Sequence, residues 1–319
     1  MKSAAPVVAI IGAGSIGVAF AIVFARAGWP VRLQDPDTQR LALARTEIAS
    51  RSAQLVHYGL LEEAPQALVD RVELCSDLAS ALADASLVQE CAPERLELKI
   101  QLFTELDRLA PPTAILASSS SALTASSFAE GLPGRHRCLV AHPGNPPYLL
   151  PVIEIVPAPF TDPQQVDRAL KLYSDAGLTP VRLNKEIEGF VFNRLQGALL
   201  REAYCLVRDG ITSVADIDKV VSQGLGLRWA FMGPFETVDL NTRGGIGSHA
   251  QKMGPAYARM GAERGQHDPW TPDLVATVEA QRRALVPLDQ WEDRVAWRDR
   301  ALMERASDRL QRDRAPAKD

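Results

Sequence analysis

Apolar residues occur along the first half of the chain in short continuous runs, which alternate with longer stretches of helical periodicity. Eight runs have the length of a buried strand: Val7–Ile11, Val31–Gln34, Arg71–Leu74, Ser86–Glu90, Ala114–Ala117, Arg137–Ala141, Val152–Val156 and Val181–Leu183. Helical periodicity marks three of the stretches between them: 37–64, Glu97–Leu109 and Pro163–Ala176. Because strands that alternate with helices form parallel sheets, the pattern predicts an α/β fold with a doubly wound sheet of roughly eight strands.

The pattern changes after Leu183, where the strand signals disappear and helical periodicity continues. Apolar residues on one helical face run through residues 190–210 and predict a buried helix: Val191, Leu195, Leu199 and Leu206. Four further segments are typical of helices: Ser213–Gly224, Phe235–Leu240, Thr271–Arg283 and Trp291–Arg312. We therefore expect two domains, a Rossmann-type sheet domain over residues 1–187 and an all-helical domain over residues 188–319.

The first apolar run ends in a turn with three glycines at the spacing G-x-G-x-x-G, and an apolar helical segment follows. Asp35 stands at the end of the second apolar run, eighteen residues after the last of these glycines. This order of strand, turn, helix, strand and acid is the fingerprint of a dinucleotide-binding fold. The residues expected to bind the cofactor are Gly12, Gly14, Ser15, Ile16, Gly17 and Asp35.

The acid after the second strand favours NAD over NADP. Asp35 would accept hydrogen bonds from a ribose diol and would repel a 2′-phosphate. Pro36, rather than an arginine, follows it. Arg40 is close enough in the chain to keep NADP open as the alternative cofactor.

Composition and charge exclude several other classes of protein. A chain of 319 residues with 46% hydrophobic and 23% charged residues is ordinary for a globular protein. The formal net charge of −4 offers no electrostatic attraction to nucleic acid or to an anionic membrane. The four cysteines form no C-x-x-C pair and have no histidines nearby at metal-ligand spacing. We therefore expect no metal site, and reduced thiols in a cytoplasmic protein.

A histidine and a glutamate in neighbouring strands form the strongest candidate for chemistry. His142 stands at the carboxyl end of its predicted strand, where ligands of open α/β sheets bind. Glu154 interrupts the next apolar run, and a buried carboxylate needs a partner, for which His142 is the natural candidate. Such a pair has the form of a general base and its orienting carboxylate, which hydride transfer from an alcohol to NAD requires. The alternative is a core histidine bonded to a backbone carbonyl.

Two further polar side chains suit the oxygen of the reacting alcohol. The hydroxyl of Ser121 and the amide of Asn193 could donate hydrogen bonds to the developing carbonyl oxygen. Ser121 ends a run of four serines that follows a predicted strand. We interpret the other three, Ser118–Ser120, as a polar loop that caps the next helix.

These motifs resemble those of the 3-hydroxyacyl-CoA dehydrogenase superfamily over nearly the whole chain. The likeness rests on GAGSIG (12–17), QECAPERLELK (89–99), AHPGNPPYLLPVIEIVP (141–157), GFVFNRLQ (189–196), GLGLRWAFMGPFE (224–236) and WRDRALM (297–303). The last segment is similar to the ending of the lambda-crystallin branch. The resemblance implies a homodimer, formed through the helical domain.

The resemblance also assigns roles to individual residues. It implies that Ser121, His142, Glu154 and Asn193 form the catalytic site. It implies further cofactor contacts near the nicotinamide and its ribose, made by Asn145, Glu94 and Lys99.

For this branch, the resemblance implies NAD-dependent oxidation of a small-molecule 3-hydroxy acid, namely L-gulonate to 3-dehydro-L-gulonate. Two departures disfavour CoA thioesters. Ala122 stands where the acyl-CoA enzymes carry a second serine, and no lysine occurs between Lys2 and Lys99 to bind CoA phosphates. Three arginines could replace such a lysine: Arg40, Arg45 and Arg51.

The carboxylate of such a substrate needs a cation, for which Arg228 is the candidate. A helix-end or inter-subunit salt bridge is the alternative role for this arginine.

Three other functions stay open. Carnitine 3-dehydrogenases share similar motifs, and a trimethylammonium substrate would need an aromatic cage, to which Trp229, Phe231 and Tyr148 could contribute. A 3-hydroxyacyl-CoA dehydrogenase is the second alternative. The third is a non-catalytic NAD-binding structural protein, against which the intact set of catalytic residues argues.

Overall fold

The apolar runs of the first half form one eight-stranded sheet in the computed structural model of the protein. The structure describes residues 5–230, 233–241 and 245–265, with isolated residues and short runs between 273 and 311. The strands are β1 (Val7–Ile11), β2 (Val31–Gln34), β3 (Val72–Cys75), β4 (Ala85–Glu90), β5 (Ile115–Ser118), β6 (Cys138–Pro143), β7 (Val152–Pro157) and β8 (Thr179–Arg182). Their order is β3-β2-β1-β4-β5-β6-β7-β8. The first six are parallel, β7 is antiparallel to β6, and β8 is parallel to β7.

Helices cover both faces of this sheet, so the predicted doubly wound α/β architecture is confirmed. They are α1 (Ser15–Arg26), α2 (Thr38–His57), α3 (Pro65–Asp70), α4 (Leu78–Leu82), α5 (Leu96–Leu109), α6 (Ala125–Ala129) and α7 (Pro163–Asp175). The core on one face holds residues of α1, α2, α3 and α7. The core on the other face holds residues of α4, α5 and α6.

The central strand β1 explains why the sheet has two cores. Successive side chains of a strand point to opposite faces, so Val8 and Ile10 enter one core while Ala9 and Ile11 enter the other. A strand that is buried on both faces reads as the continuous apolar run seen in the sequence. Its carboxyl end places the glycine turn at the edge of the sheet where ligands of this fold bind.

Every described element after β8 is helical, as predicted. These helices are α8 (Phe192–Arg208), α9 (Val214–Val220), α10 (Gly226–Trp229), α11 (Pro234–Asn241) and α12 (Gly245–Arg264). A π-helical turn, Val221–Leu225, joins α9 to α10. The two helices predicted over residues 271–283 and 291–312 lie largely outside the described residues.

The prediction that α8 is a buried helix is wrong. Leu195 is 61% exposed, and Leu199 and Leu200 are each 38% exposed. Within the helix only Cys205 and Val207 are buried. A stripe of apolar residues predicts an amphipathic face, but it does not specify what covers that face.

Two compact units divide the chain, Met1–Asn193 with Arg298–Asp319 and, between them, Arg194–Trp297. The expected domains over residues 1–187 and 188–319 stay a prediction. None of the described helices combines the length and the apolar composition that crossing a bilayer requires.

Candidate active site

The glycine turn between β1 and α1 has the shape that a dinucleotide requires. Gly12 has a φ of +105°, in the left-handed region that favours glycine. At Gly17 a Cβ would lie 1.9 Å from the carbonyl oxygen of Gly12, so only glycine lets the helix pack this closely. At Gly14 a Cβ would meet no atom of the described residues within 4 Å. The turn therefore leaves open space in which a pyrophosphate can approach the backbone.

The N-terminus of α1 adds groups that favour an anion. Gly14 precedes the helix and has no side chain with which to cap the first N–H groups. The first turn contains no acidic residue, Ser15 is exposed and Ile16 is half-buried. Uncapped N–H groups at the positive end of a helix dipole bind phosphates. The residues present therefore fit the pyrophosphate of a dinucleotide.

Asp35 lies directly after β2 and fits a ribose diol. Its Oδ2 accepts a hydrogen bond from the N–H of Ala13 at 2.9 Å, and its Oδ1 accepts one from the N–H of Asp37 at 3.0 Å. An ionised carboxylate offers about four lone pairs, so acceptor capacity remains for ribose hydroxyls. Asp35 also binds the glycine turn directly, which couples the two parts of the cofactor site.

His142 and Glu154 form the hydrogen-bonded pair that the sequence predicts. The two residues face each other in the antiparallel register of β6 and β7. The Nδ1 atom of His142 lies 2.8 Å from Oε2 of Glu154, and both side chains are buried. Because an ionised carboxylate only accepts hydrogen bonds, Nδ1 carries the proton of this bond. The Nε2 atom of the neutral imidazole is then left as a proton acceptor.

The second oxygen of Glu154 binds the chain segment that leads into α8. Its Oε1 accepts hydrogen bonds from the N–H groups of Val191 at 2.8 Å and Phe192 at 3.0 Å. Burial by itself would raise the pKa of Glu154, but the hydrogen bonds from His142 and these two N–H groups outweigh it and lower the pKa. The carboxylate is therefore held ionised beside His142.

Phe190 forms a wall of the histidine site that sequence reasoning missed. Its ring is fully buried, with its centroid 5.4 Å from that of His142. Its φ of +50° is unusual for a bulky residue and marks local backbone strain. The ring centroid of Phe192 lies 6.3 Å from that of the imidazole, and the two rings are nearly perpendicular. The two aromatic residues next to the start of the amphipathic helix α8 were the signal that could have identified this wall.

Ser121 and Asn193, predicted to bind the reacting oxygen, are brought into contact. The Nδ2 atom of Asn193 donates a hydrogen bond to the backbone oxygen of Ser121 at 3.0 Å. A primary amide has two N–H donors, so this bond uses only one of them.

Glu94 organises the loop that carries Ser121. Its carboxylate accepts hydrogen bonds from the hydroxyl of Ser120 and from the backbone N–H groups of residues 121–123. Burial would raise the pKa of Glu94, but these bonds outweigh it and lower the pKa. The sequence placed Glu94 near the nicotinamide ribose, and that role stays a prediction.

Lys99 lies inside the protein rather than on its surface. Its Nζ is 2.9 Å from both oxygens of Glu90 and 3.3 Å from the hydroxyl of Ser118. All three side chains are buried, which makes this a fully paired ion pair below the loops after β4 and β5. Direct contact of Lys99 with a cofactor would require the pair to open, so its cofactor role stays a prediction.

The serine run does not cap the next helix, contrary to the sequence interpretation. Ser118 and Ser120 bind the carboxylates of Glu90 and Glu94 instead. The N-terminus of α6 is bound by Glu186, whose carboxylate accepts hydrogen bonds from the N–H and the hydroxyl of Ser126. Serine is common both in caps and beside carboxylates, so its sequence position alone did not separate the two roles.

The structure describes two further predicted site residues, Asn145 and Arg228. Asn145 is exposed, in the turn that joins β6 to β7. Arg228 is half-buried in the short helix α10 of the second unit. Phe231, one of the aromatic candidates, lies outside the described residues.

The class of protein follows from the positions of the dinucleotide site at the glycine turn and of the pair His142 and Glu154. A sheet that binds a dinucleotide and carries a proton acceptor at the same carboxyl edge belongs to an NAD-dependent dehydrogenase that acts on a CH–OH group.

The chain belongs to the 3-hydroxyacyl-CoA dehydrogenase family. The model of the NAD binding domain of 3-hydroxyacyl-CoA dehydrogenase matches residues 7–187, and that of the C-terminal domain matches residues 189–285. The family match agrees with NAD as the cofactor.

Two known relatives are similar to this chain over most of its length. A lambda-crystallin homolog of Bos taurus is 41% identical over 300 residues, which cover 93% of each chain. An L-carnitine dehydrogenase of Streptomyces griseus is 38% identical over 265 residues, which cover 83% of this chain and 76% of that one.

A solved structure shares the fold over almost the full length. It is a 5-formyl-3-hydroxy-2-methylpyridine 4-carboxylic acid 5-dehydrogenase, described as an NAD⁺-dependent dismutase. It has a TM-score of 0.81 and 27% identity, and the match covers 98% of this chain and all of that one.

Proposed function

We propose that the protein oxidises a 3-hydroxy acid with NAD, and that the acid is L-gulonate, which becomes 3-dehydro-L-gulonate. The observation that carries this proposal is the 2.8 Å hydrogen bond between His142 and Glu154. Nε2 of His142 takes the proton of the substrate hydroxyl, and Glu154 stabilises the resulting imidazolium. A bound NAD would supply the hydride acceptor for the carbon that carries this hydroxyl.

Ser121 and Asn193 are the proposed donors to the reacting oxygen. The contact between them supports a shared role. The second N–H of the Asn193 amide and the hydroxyl of Ser121 can stabilise negative charge as the alcohol becomes a carbonyl. Glu94 holds the loop of Ser121 in place, and we propose that Asn145 and Lys99 support the cofactor.

Three features of the sequence support a small polar acid over a CoA thioester. Ala122 replaces a second serine, and no lysine occurs between Lys2 and Lys99. Arg228 could pair with the carboxylate of the acid. The 41% identity to a lambda-crystallin homolog favours the branch for which the sequence implies L-gulonate.

L-Carnitine is the second candidate substrate. The 38% identity to an L-carnitine dehydrogenase favours it. A trimethylammonium group binds best against exposed aromatic faces. Trp229 is 40% exposed, whereas Tyr148 is buried, so only the first offers an open face.

A substrate panel tests the proposal. We expect kcat/KM for L-gulonate to exceed that for L-carnitine, 3-hydroxybutyrate and 3-hydroxybutyryl-CoA by at least about 100-fold, because polar contacts discriminate strongly between substrates. NADH formation is measured in parallel for the four compounds, with the His142→Gln variant as the control. The proposed substrate would be contradicted by a higher kcat/KM for any of the other three compounds, or by the absence of turnover with every one of the four.

We also propose that residues 188–319 form a substrate and dimerisation domain, and that the protein is a homodimer. Apolar residues of the second unit support this proposal: Leu195, Leu199, Val220 and Phe235 are all more than a third exposed. Apolar surface of this kind is costly in water and is characteristic of an interface. We also propose a cytoplasmic location, because the spacing of the four cysteines in the sequence is typical of reduced thiols.

Light scattering coupled to size exclusion tests the homodimer. We expect twice the mass of one chain for the wild type. The double variant Leu195→Asp/Leu199→Asp should weaken the dimer by at least about 10-fold, because it places charges in an apolar interface. Leu43→Asp, a change of an exposed leucine on α2, is the matched control and should leave the mass unchanged. A monomeric wild type would contradict the proposal.

A further inference from the structure

Ala13, in the middle of the glycine turn, makes hydrogen bonds to side chains through both its N–H and its carbonyl oxygen. The N–H of Ala13 donates to Asp35 at 2.9 Å, and its carbonyl oxygen accepts from Nε of Arg40 at 2.7 Å. Asp35 is the residue that selects the ribose of the cofactor. Arg40 is therefore a cation fixed beside the group that distinguishes NAD from NADP.

The guanidinium of Arg40 forms an ion pair with a second carboxylate, that of Glu47. Nη1 of Arg40 lies 2.7 Å from Oε1 of Glu47, two helical turns further along α2. The other oxygen of Glu47 lies 2.9 Å from Nη2 of Arg51. Glu47 thus bridges two arginines and keeps the guanidinium of Arg40 in one position.

The balance of charge around Arg40 opposes a further anion. The carboxylates of Glu47, Asp35 and Asp37 raise the pKa of Arg40, and the largest cause is the hydrogen bond that Arg40 donates to Glu47. Among the side chains that contact one another here, three carboxylates stand against the two guanidinium groups of Arg40 and Arg51. A 2′-phosphate is a strong hydrogen-bond acceptor with nearly two negative charges, and it needs an arginine that is free to turn towards it.

We propose that Glu47 is a specificity-determining residue of the cofactor site, which occupies Arg40 and so keeps this arginine from pairing with a 2′-phosphate. Asp35 and Glu47 then exclude NADP in different ways. Asp35 repels the phosphate, whereas Glu47 withholds the cation that would bind it. The proposal rests on the NAD site and not on the identity of the substrate.

The expected effect of Glu47→Gln is a change in cofactor preference. The amide has the same shape without the charge, so Arg40 keeps its bond to Ala13 and loses the ionic attraction that holds its guanidinium at Glu47. We expect the Kd for NADPH to fall about three- to fivefold, the upper part of the range for a partly exposed ion pair. The Kd for NADH should change less than about twofold, because a ribose diol carries no charge.

Fluorescence titration of the full-length protein with NADH and NADPH, without substrate, tests the proposal. Arg51→Gln is the matched control, because it removes the other partner of Glu47 and should not improve NADPH binding. In the double variant Glu47→Gln/Arg40→Gln the gain should disappear. Since no turnover is measured, the result does not depend on whether L-gulonate is the substrate.

Two outcomes would overturn the proposal. The first is a ratio of NADPH to NADH affinity that stays within twofold of the wild type in Glu47→Gln. The second is a gain that persists after Arg40 is replaced, which would mean that loss of negative charge alone causes it. Thermal unfolding of each variant, measured alongside, identifies any variant that fails to fold. In that case Glu47→Ala repeats the comparison.

Discussion

The His142→Gln variant is expected to lose about 10³-fold in kcat/KM for the oxidation of its 3-hydroxy acid, the range that removal of a general base produces. This loss corresponds to about 4 kcal/mol of transition-state stabilisation. The amide of glutamine has nearly the length of the imidazole but cannot take up a proton near neutral pH. The Kd for NADH should change less than about twofold, since His142 takes no part in the glycine turn or in the bonds of Asp35.

Initial rates of NADH formation and a cofactor titration separate these two effects. His136→Gln, which replaces an exposed histidine of the same domain, is the matched control and should retain wild-type rates. If His142→Gln retains kcat/KM within about threefold of wild type, another group accepts the proton. If it loses NADH binding to the same extent, His142 has a structural role.

The elements that alternate in the first half were predictable because a single rule governs them. A strand covered on both faces must be apolar throughout, and strands that alternate with helices form a doubly wound sheet. The order of the strands and the antiparallel direction of β7 were not predicted. Strand ends were less predictable. The last strand begins two residues earlier than expected, at Thr179. Pro180 interrupts the apolar run in the sequence, but β8 is an edge strand, where a residue without an N–H is tolerated.

The helical half was less predictable for two physical reasons. Helix α12 contains Gly247, Gly254, Pro255 and Gly261, which are poor helix formers, so its pattern does not stand out from a loop. The apolar face of α8 was recognised, but its exposure in a single chain was not. An amphipathic pattern records that a face avoids water and does not say which chain covers it.

The candidate active site likewise has features that the sequence could predict and features that it could not. His142 and Glu154 were predictable as a pair because one antiparallel register brings them together. The four bonds to Glu94 and the packing of Phe190 on the imidazole were not, because both depend on loops with no repeating pattern. Lys99 illustrates the remaining difficulty. Its motif suggests a cofactor contact, whereas the structure places its ammonium in a buried ion pair.

The Glu154→Gln variant is expected to lose about 10²–10³-fold in kcat/KM while it still binds NADH, because loss of the orienting acid favours the wrong histidine tautomer. Glutamine has one acceptor oxygen, but Glu154 uses two oxygens. If the amide oxygen keeps the N–H groups of Val191 and Phe192, the amide nitrogen donates to Nδ1 of His142. Nε2 then carries the proton and cannot accept another.

The Glu154→Gln variant should also change how the free energy of unfolding depends on pH. The pKa of Glu154 is lowered from 4.5 in the folded protein, so its contribution to stability is fully present above that value. This contribution is lost as the pH falls through the lowered folded pKa. Glutamine does not titrate, so the difference in free energy of unfolding between wild type and Glu154→Gln should be largest near pH 7 and should narrow in acid. Denaturant unfolding across this range measures it.

A matched control separates the position of Glu154 from its charge. Glu73→Gln removes an exposed carboxylate from another strand of the same sheet. It should change neither kcat/KM nor the decrease in the free energy of unfolding at acid pH. Glu154→Asp keeps the charge but shortens the side chain, so it should recover part of the loss in kcat/KM. Wild-type kcat/KM in Glu154→Gln would mean that His142 keeps its tautomer without the carboxylate. A difference in stability that widens in acid would mean that the folded protein holds Glu154 protonated, and the carboxylate could not then orient the base.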